Sequence, residues 1–140
     1  MRRKASVVWH GDFERGRGLI TTESRALSEA PYFGTPLPRT KGTHPGELIA
    51  AAHAACFSMA LANYLGDVGF TADRISTTAI LTSEKLAAGW TVTSIELEVV
   101  AQVPAAKQRD FIQAALRAKT NCTVSRLLNA TISMNARLIA

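Results

Sequence analysis

The chain has 140 residues, the length of one ordinary domain, and needs no disulfide or metal to close a core. Hydrophobic residues make up 47% and charged residues 19%, which excludes wholesale disorder. The net charge of +5 is spread along the chain, so it provides little footprint for a nucleic-acid partner. The basic start Met1-Arg2-Arg3-Lys4 is not followed by a long apolar segment with a cleavage site. No run approaches the ~20 apolar residues of a membrane span, and the most apolar one, residues 48–61, is broken by His53 and Ser58. The expectation is a cytoplasmic protein with neither a membrane nor a nucleic acid as partner.

Residues 5–10 are β-rich, a turn follows at Gly11-Asp12 and Arg15-Gly16-Arg17-Gly18, and residues 19–24 are β-prone again. Together they predict an N-terminal hairpin. Residues 28–45 hold Pro31, Gly34, Pro36, Pro38, Gly42 and Pro45, a density that predicts a long loop. Loops of that length in small domains usually carry function. A helix follows, with Thr43 as N-cap, Pro45 in the first turn and Glu47 suited to the N-terminal dipole. It runs over residues 47–65 and stops at Gly66. Leu48, Ala52, Cys56 and Ala60, spaced four apart, form one stripe, which puts Cys56 mid-helix on an expected buried face.

Residues 75–83 and 91–103 are β-rich. In the second run, Thr93, Ile95, Leu97 and Val99 alternate with more polar neighbours, the period of a strand with one apolar face. After Pro104, residues 105–119 predict a helix with Phe111, Ile112, Ala115 and Leu116 on its apolar face. Asn121-Cys122-Thr123 marks a break, residues 124–128 a short helix, and residues 131–138 a last strand. The order ββ–loop–α–ββ–α–α–β, with no linker or repeat, predicts a single α+β domain over residues 1–140.

Two cysteines in a reducing compartment are either inert core residues or redox groups. Cys56 suits a small hydrophobe within a helix. Cys122 lies where a short helix begins, a position whose free N–H groups favour a thiolate. Their separation excludes a CxxC motif, and three scattered His add no metal pattern.

The segment from Gly42-Thr43-His44-Pro45-Gly46-Glu47 through Ala52-His53-Ala54-Ala55-Cys56-Phe57-Ser58-Met59 resembles the first cysteine motif of the OsmC/Ohr family, and its OsmC branch in particular. Asn121-Cys122-Thr123-Val124-Ser125 resembles the family's second motif, GCPVS. Trp9-His10-Gly11-Asp12 with Gly16-Arg17-Gly18 and Thr22-Glu23-Ser24 is similar to its N-terminal hairpin. The resemblance covers nearly the whole chain. It implies the OsmC-like α+β fold, an intertwined homodimer, and a thiol peroxidase that reduces organic hydroperoxides with no metal or organic cofactor. By match to the motifs, Cys56 is the peroxidatic thiol and Cys122 the resolving one. The implied chemistry is a sulfenic acid on Cys56, a Cys56–Cys122 disulfide, and reopening of that disulfide by a dihydrolipoyl-type reductant.

A thiol in apolar surroundings is inert, so this chemistry requires a cation near Cys56. The family draws an Arg from the loop before the helix; here that loop contains Arg39, three residues before Gly42. Arg15 and Arg17 in the hairpin turn are further candidates. The family pattern NPEEL places a Glu ten residues before the cysteine to orient the Arg. That position is Gly46 in this chain, and Glu47 matches the second Glu of the pattern. Nine residues along an ideal helix amount to about 13.5 Å and half a turn out of phase, so Glu47 is expected to face away from Cys56. His53 lies one turn before Cys56, where the family often has His, and a structural role is expected for it. His44 replaces a common Asn at the helix entrance and reads as a substitution within the cap region. Trp9, Phe57, Met59 and Phe111 are expected in core or interface. The alternative reading is a non-catalytic dimer of the same fold that binds an apolar ligand or a protein partner, motivated by Gly46 and the altered Arg loop.

Overall fold

The computed structural model describes residues 1–34 and 41–140, which divide into two units, Met1–Leu48 and Ile49–Ala140. In the first unit, β1 (Ala5–His10) and β2 (Arg17–Thr22) form the predicted antiparallel hairpin, with Trp9 opposite Gly18. Trp9 donates its ring N–H to the carbonyl of Gly11 (2.9 Å), and its ring packs at 5.6 Å from that of Tyr32. Gly18 sits against the Tyr32 ring, where a Cβ would collide with the aromatic carbons. The loop expected over residues 28–45 contains a further strand, β3 (Ala30–Tyr32), antiparallel to β2. Pro31 is tolerated there because β3 is an edge strand, where a missing N–H costs no ladder bond. Thr43 pins the segment after β3: its N–H donates to the Pro31 carbonyl (2.9 Å) and its carbonyl accepts from the Phe33 N–H (3.2 Å).

Helix α1 (Pro45–Asp67) begins at the end of the first unit, and its body belongs to the second. At its entrance Pro45 and Glu47 lie in the first turn as expected, but Thr43 is not the cap. His44 supplies the cap, its Nδ1 accepting from the Gly46 N–H at 3.0 Å, while the Thr43 hydroxyl donates to the Glu47 carboxylate at 2.6 Å. The helix runs past Gly66 to Asp67, and Gly69 closes it. Gly69 takes φ +87°, its N–H bonds the Gly66 carbonyl and the Phe70 N–H bonds the Leu65 carbonyl. This is the double bond of a Schellman end, which needs a left-handed residue that Gly supplies at no steric cost. At 23 residues α1 is also long and apolar enough to cross a membrane by length and composition alone. In this fold, one stripe of it is buried in protein.

The second unit is built on a sheet of order β4-β5-β6, from β4 (Arg74–Leu86), β5 (Gly89–Gln102) and β6 (Thr131–Ile139). β4 and β5 pair antiparallel with an irregularity at Thr82/Ser83, whereas β5 and β6 pair in parallel. A parallel pair needs a crossover, provided here by α2 (Gln108–Asn121) and α3 (Thr123–Leu127). The predicted alternation in β5 holds: Ile95, Leu97, Val99 and Ala101 are buried, and Glu96 and Glu98 face solvent. Phe57, Leu61 and Leu65 of α1 and Phe111, Ala114, Ala115 and Ala118 of α2 complete this core.

Two polar ties fix the helices. Ser58 donates its hydroxyl to the Ala54 carbonyl (2.9 Å) and meets the Thr77 hydroxyl of β4 at 2.7 Å. The Arg117 guanidinium of α2 lies 4.2 Å above the Tyr64 ring of α1. α2 starts three residues later than expected, after Ala105 takes φ +65°. Its buried face uses Ala114 and Ala118, while Leu116 is exposed; small side chains allow the helix to lie close to its neighbours.

Candidate active site

The face that α1 buries carries His53, Phe57, Leu61 and Leu65, spaced four apart. This corrects the expected stripe of Leu48, Ala52, Cys56 and Ala60, in which Ala52 is exposed and the others are only partly covered. Alanines surround the helix on every side, so sequence spacing left several stripes equally apolar. The largest side chains, Phe57 and the leucines, decide which one turns inward, because burial is proportional to the apolar area removed from water. Cys56, adjacent to Phe57, therefore sits at the edge of the buried face. It is half-buried, packed against the core, and a free thiol. Phe57 and Phe111 are fully buried as expected, whereas Met59 is exposed.

Cys122 has a different setting. It closes α2, its N–H donating to the Ala118 carbonyl at 3.0 Å, and with extended φ −62° and ψ 145° it opens α3 as N-cap. The break and fresh helix expected at this point are both present. An N-cap side chain accepts from the third helical N–H, and here the Cys122 sulfur accepts the Ser125 N–H at 3.4 Å. The Ser125 hydroxyl lies 3.0 Å from the same sulfur and 2.8 Å from Nε2 of His53. That hydroxyl has one hydrogen, so it donates to one of these neighbours and accepts from the other. All three residues are buried: His53 at 0%, Cys122 at 3% and Ser125 at 8% exposure. Desolvation lowers the pKa of His53 below its ordinary 6.5, because burial disfavours the charged ring. Its other nitrogen, Nδ1, is buried and has no hydrogen-bond partner among the described residues.

The two thiols therefore share one core, Cys122 inside it and Cys56 against it, and both are reduced. Of the other predicted residues, Arg39 lies outside the described residues. Glu47 is exposed in the first turn of α1, where it accepts from Thr43. Arg15 donates its backbone N–H to Asp12 Oδ1 (2.8 Å) in the hairpin turn, and Arg17 begins β2. Among the described residues, no three His, Cys, Asp or Glu side chains converge to hold a metal ion. Ser125 was not singled out from the sequence. Its signal is its position three residues after Cys122, the spacing at which an N-cap and the third helical residue meet. The sequence offers no sign of its other partner, 72 positions away.

Comparison with known proteins fits this architecture. A family model described as OsmC-like protein matches residues 38–137. The chain is 43% identical over 139 residues to Peroxiredoxin OsmC of Escherichia coli K12, covering 99% of this chain and 97% of that protein. Among solved structures, an OsmC-like protein from Mycoplasma pneumoniae superposes with a TM-score of 0.82 at 13% identity, covering 100% of this chain and 99% of that one. The organic hydroperoxide resistance protein OhrB of Bacillus subtilis superposes with a TM-score of 0.67 at 20% identity, covering 97% and 98%. With a model match over most of its length and a relative at 43% identity along nearly all of it, the chain belongs to the OsmC-like family.

Proposed function

We propose that the substrate of this cysteine-based peroxidase is an organic hydroperoxide, with Cys56 as the attacking thiol and Cys122 as the resolving one. The observation that carries the reading is the contrast between the thiols: one half-open at a helix edge, the other enclosed with the Ser125 N–H donating to its sulfur and the Ser125 hydroxyl beside it, in one core. In this reading the Cys56 thiolate attacks the terminal peroxide oxygen. The O–O bond breaks, the alkoxide takes a proton and leaves as alcohol, and Cys56 becomes a sulfenic acid. Cys122 then forms the disulfide with loss of water. A dihydrolipoyl-type dithiol reopens it by exchange and is itself oxidised to a disulfide. The apolar core beneath Cys56 favours an alkyl group over hydrogen peroxide by ~0.8 kcal/mol per methylene covered.

Arg39 is the proposed activating cation, and Glu47 the proposed carboxylate on the helix entrance. Residues 1–140 work as one OsmC-like domain in a homodimer, in the cytoplasm, with no cofactor. The family relationship and the relatives' names support this reading: a peroxiredoxin at 43% identity, and the shared fold of an organic hydroperoxide resistance protein.

The test is peroxide consumption with dihydrolipoamide as reductant, by the wild type and by Cys56→Ser. Turnover of cumene and tert-butyl hydroperoxide, faster than that of hydrogen peroxide and abolished by Cys56→Ser, is the expected result. A folded wild type with no turnover overturns the reading in favour of a non-catalytic, ligand-binding member of the fold.

A further inference from the structure

We propose that Ser125 and His53 form a buried proton relay for the resolving thiol, carrying the proton from Cys122 Sγ through the Ser125 hydroxyl to His53 Nε2 as the disulfide forms. The inference rests on the peroxidase reading above and assigns parts to two residues outside the cysteine pair.

Three observations support it. The contacts are continuous: sulfur to hydroxyl at 3.0 Å and hydroxyl to Nε2 at 2.8 Å, linking α3 to α1. The string is closed off from bulk water, since His53 is fully buried and Cys122 and Ser125 are nearly so. A thiol there has no solvent base at hand, and a proton acceptor has to be part of the protein. Finally, Nδ1 of His53 is buried and has no partner among the described residues. A ring with its one proton on Nδ1 presents the Nε2 lone pair to Ser125 and leaves an orphaned N–H behind it. A hydrogen bond serving only to tie α1 to α3 gives no reason to bury a ring with a second, unsatisfied nitrogen; such an atom calls for an explanation, and a part in redox chemistry supplies one.

The step balances without an outside oxidant. The Cys122 sulfur attacks the sulfenic sulfur of Cys56, the S–S bond forms and the S–O bond breaks. The thiol sulfur is oxidised and the sulfenic sulfur reduced. The proton leaving Cys122 passes to Ser125 Oγ as the Ser125 proton passes to Nε2. The imidazolium then gives its proton up, and that proton with the departing hydroxide makes the one water released. Ser125 touches a reacting atom, whereas His53 acts through it and is a positioning residue.

The experiment follows a single turnover with cumene hydroperoxide in the full chain. Dimedone trapping and mass spectrometry give the rate of sulfenic acid formation on Cys56, and loss of both thiols gives the rate of disulfide formation. Ser125→Ala and His53→Gln are expected to lower the ratio of the second rate to the first by roughly 100-fold, the low end for a positioned proton acceptor, so that trappable sulfenic acid accumulates. Ser125→Thr keeps the hydroxyl and is expected to recover most of the ratio. A wild-type ratio in Ser125→Ala overturns the relay, as does a Ser125→Thr variant as slow as Ser125→Ala, which would mean that packing alone matters. A wild type that never forms sulfenic acid sinks the peroxidase reading and the relay with it. Normal sulfenic acid formation with an unchanged ratio sinks only the relay.

Discussion

Cys56 lies midway along a 23-residue helix with part of its surface open, whereas Cys122 occupies the seam between two helices at 3% exposure, with the N–H and hydroxyl of Ser125 against its sulfur. Among the described residues no hydrogen bond reaches the Cys56 sulfur. Two chemically identical side chains are thus prepared for opposite demands. A thiol that must meet a diffusing substrate cannot be sealed. A thiol that must meet one fixed partner gains from being held, because orientation supplied by the fold need not be found during the reaction.

The largest effect that tests this contrast lies in the helix face beside Cys56. Phe57→Ala is expected to cost about 3–5 kcal/mol in urea unfolding, because it empties a filled position in the core. Met59→Ala, on the exposed side, is expected to stay within about 0.5 kcal/mol. Equal losses would mean that the helix is rotated from the orientation that leaves Cys56 half-open.

A smaller effect separates the cysteines directly. Cys122→Ala removes an N-cap acceptor and is expected to cost about 1 kcal/mol, while Cys122→Ser retains a capping oxygen and most of that stability. Cys56→Ala replaces a mid-helix residue with the best helix former and is expected to be nearly neutral, within about 0.5 kcal/mol. Comparable losses at both positions, read from denaturant midpoints, would erase the distinction.

The smallest effect is a pH slope. Burial holds His53 below 6.5, so as pH falls through 6.5 the unfolded chain takes up a proton that the folded chain refuses. Stability is full above 6.5, declines below it, and levels off once the lowered folded value is passed. Melting temperatures measured across this range are expected to fall less steeply in His53→Gln than in the wild type. Identical slopes would place the ring in contact with water.

The parts of this arrangement that were legible in the sequence rest on local rules. β5 was legible because Ile95, Leu97 and Val99 alternate with charged neighbours, and the α2–α3 break because Asn121-Cys122-Thr123 interrupts the helical pattern. The buried face of α1 was not, since a helix rich in Ala offers no contrast between its sides until the surrounding core selects the bulky residues. β3 escaped because a three-residue edge strand containing Pro31 has no signal of its own and exists through its pairing with β2. Both cysteines carried recognisable motifs. The His53–Ser125 contact joins residues 72 positions apart, and no local rule reaches that far. Arg39, the proposed cation, lies outside the described residues.

The parallel pairing of β5 with β6 also bears on how the protein is made. β4 and β5 meet across a tight turn between Leu86 and Gly89 and can zip together while synthesis continues. The other edge of β5 has to wait until α2, α3 and β6 have emerged. Non-local parallel closure is slow compared with hairpin formation. During that interval a long strand with one apolar face presents an open edge, the condition under which nascent chains pair wrongly with one another. Synthesis speed through residues 103–131, and chaperone occupancy over the same window, should therefore govern the yield of folded protein more than changes in the early hairpin do.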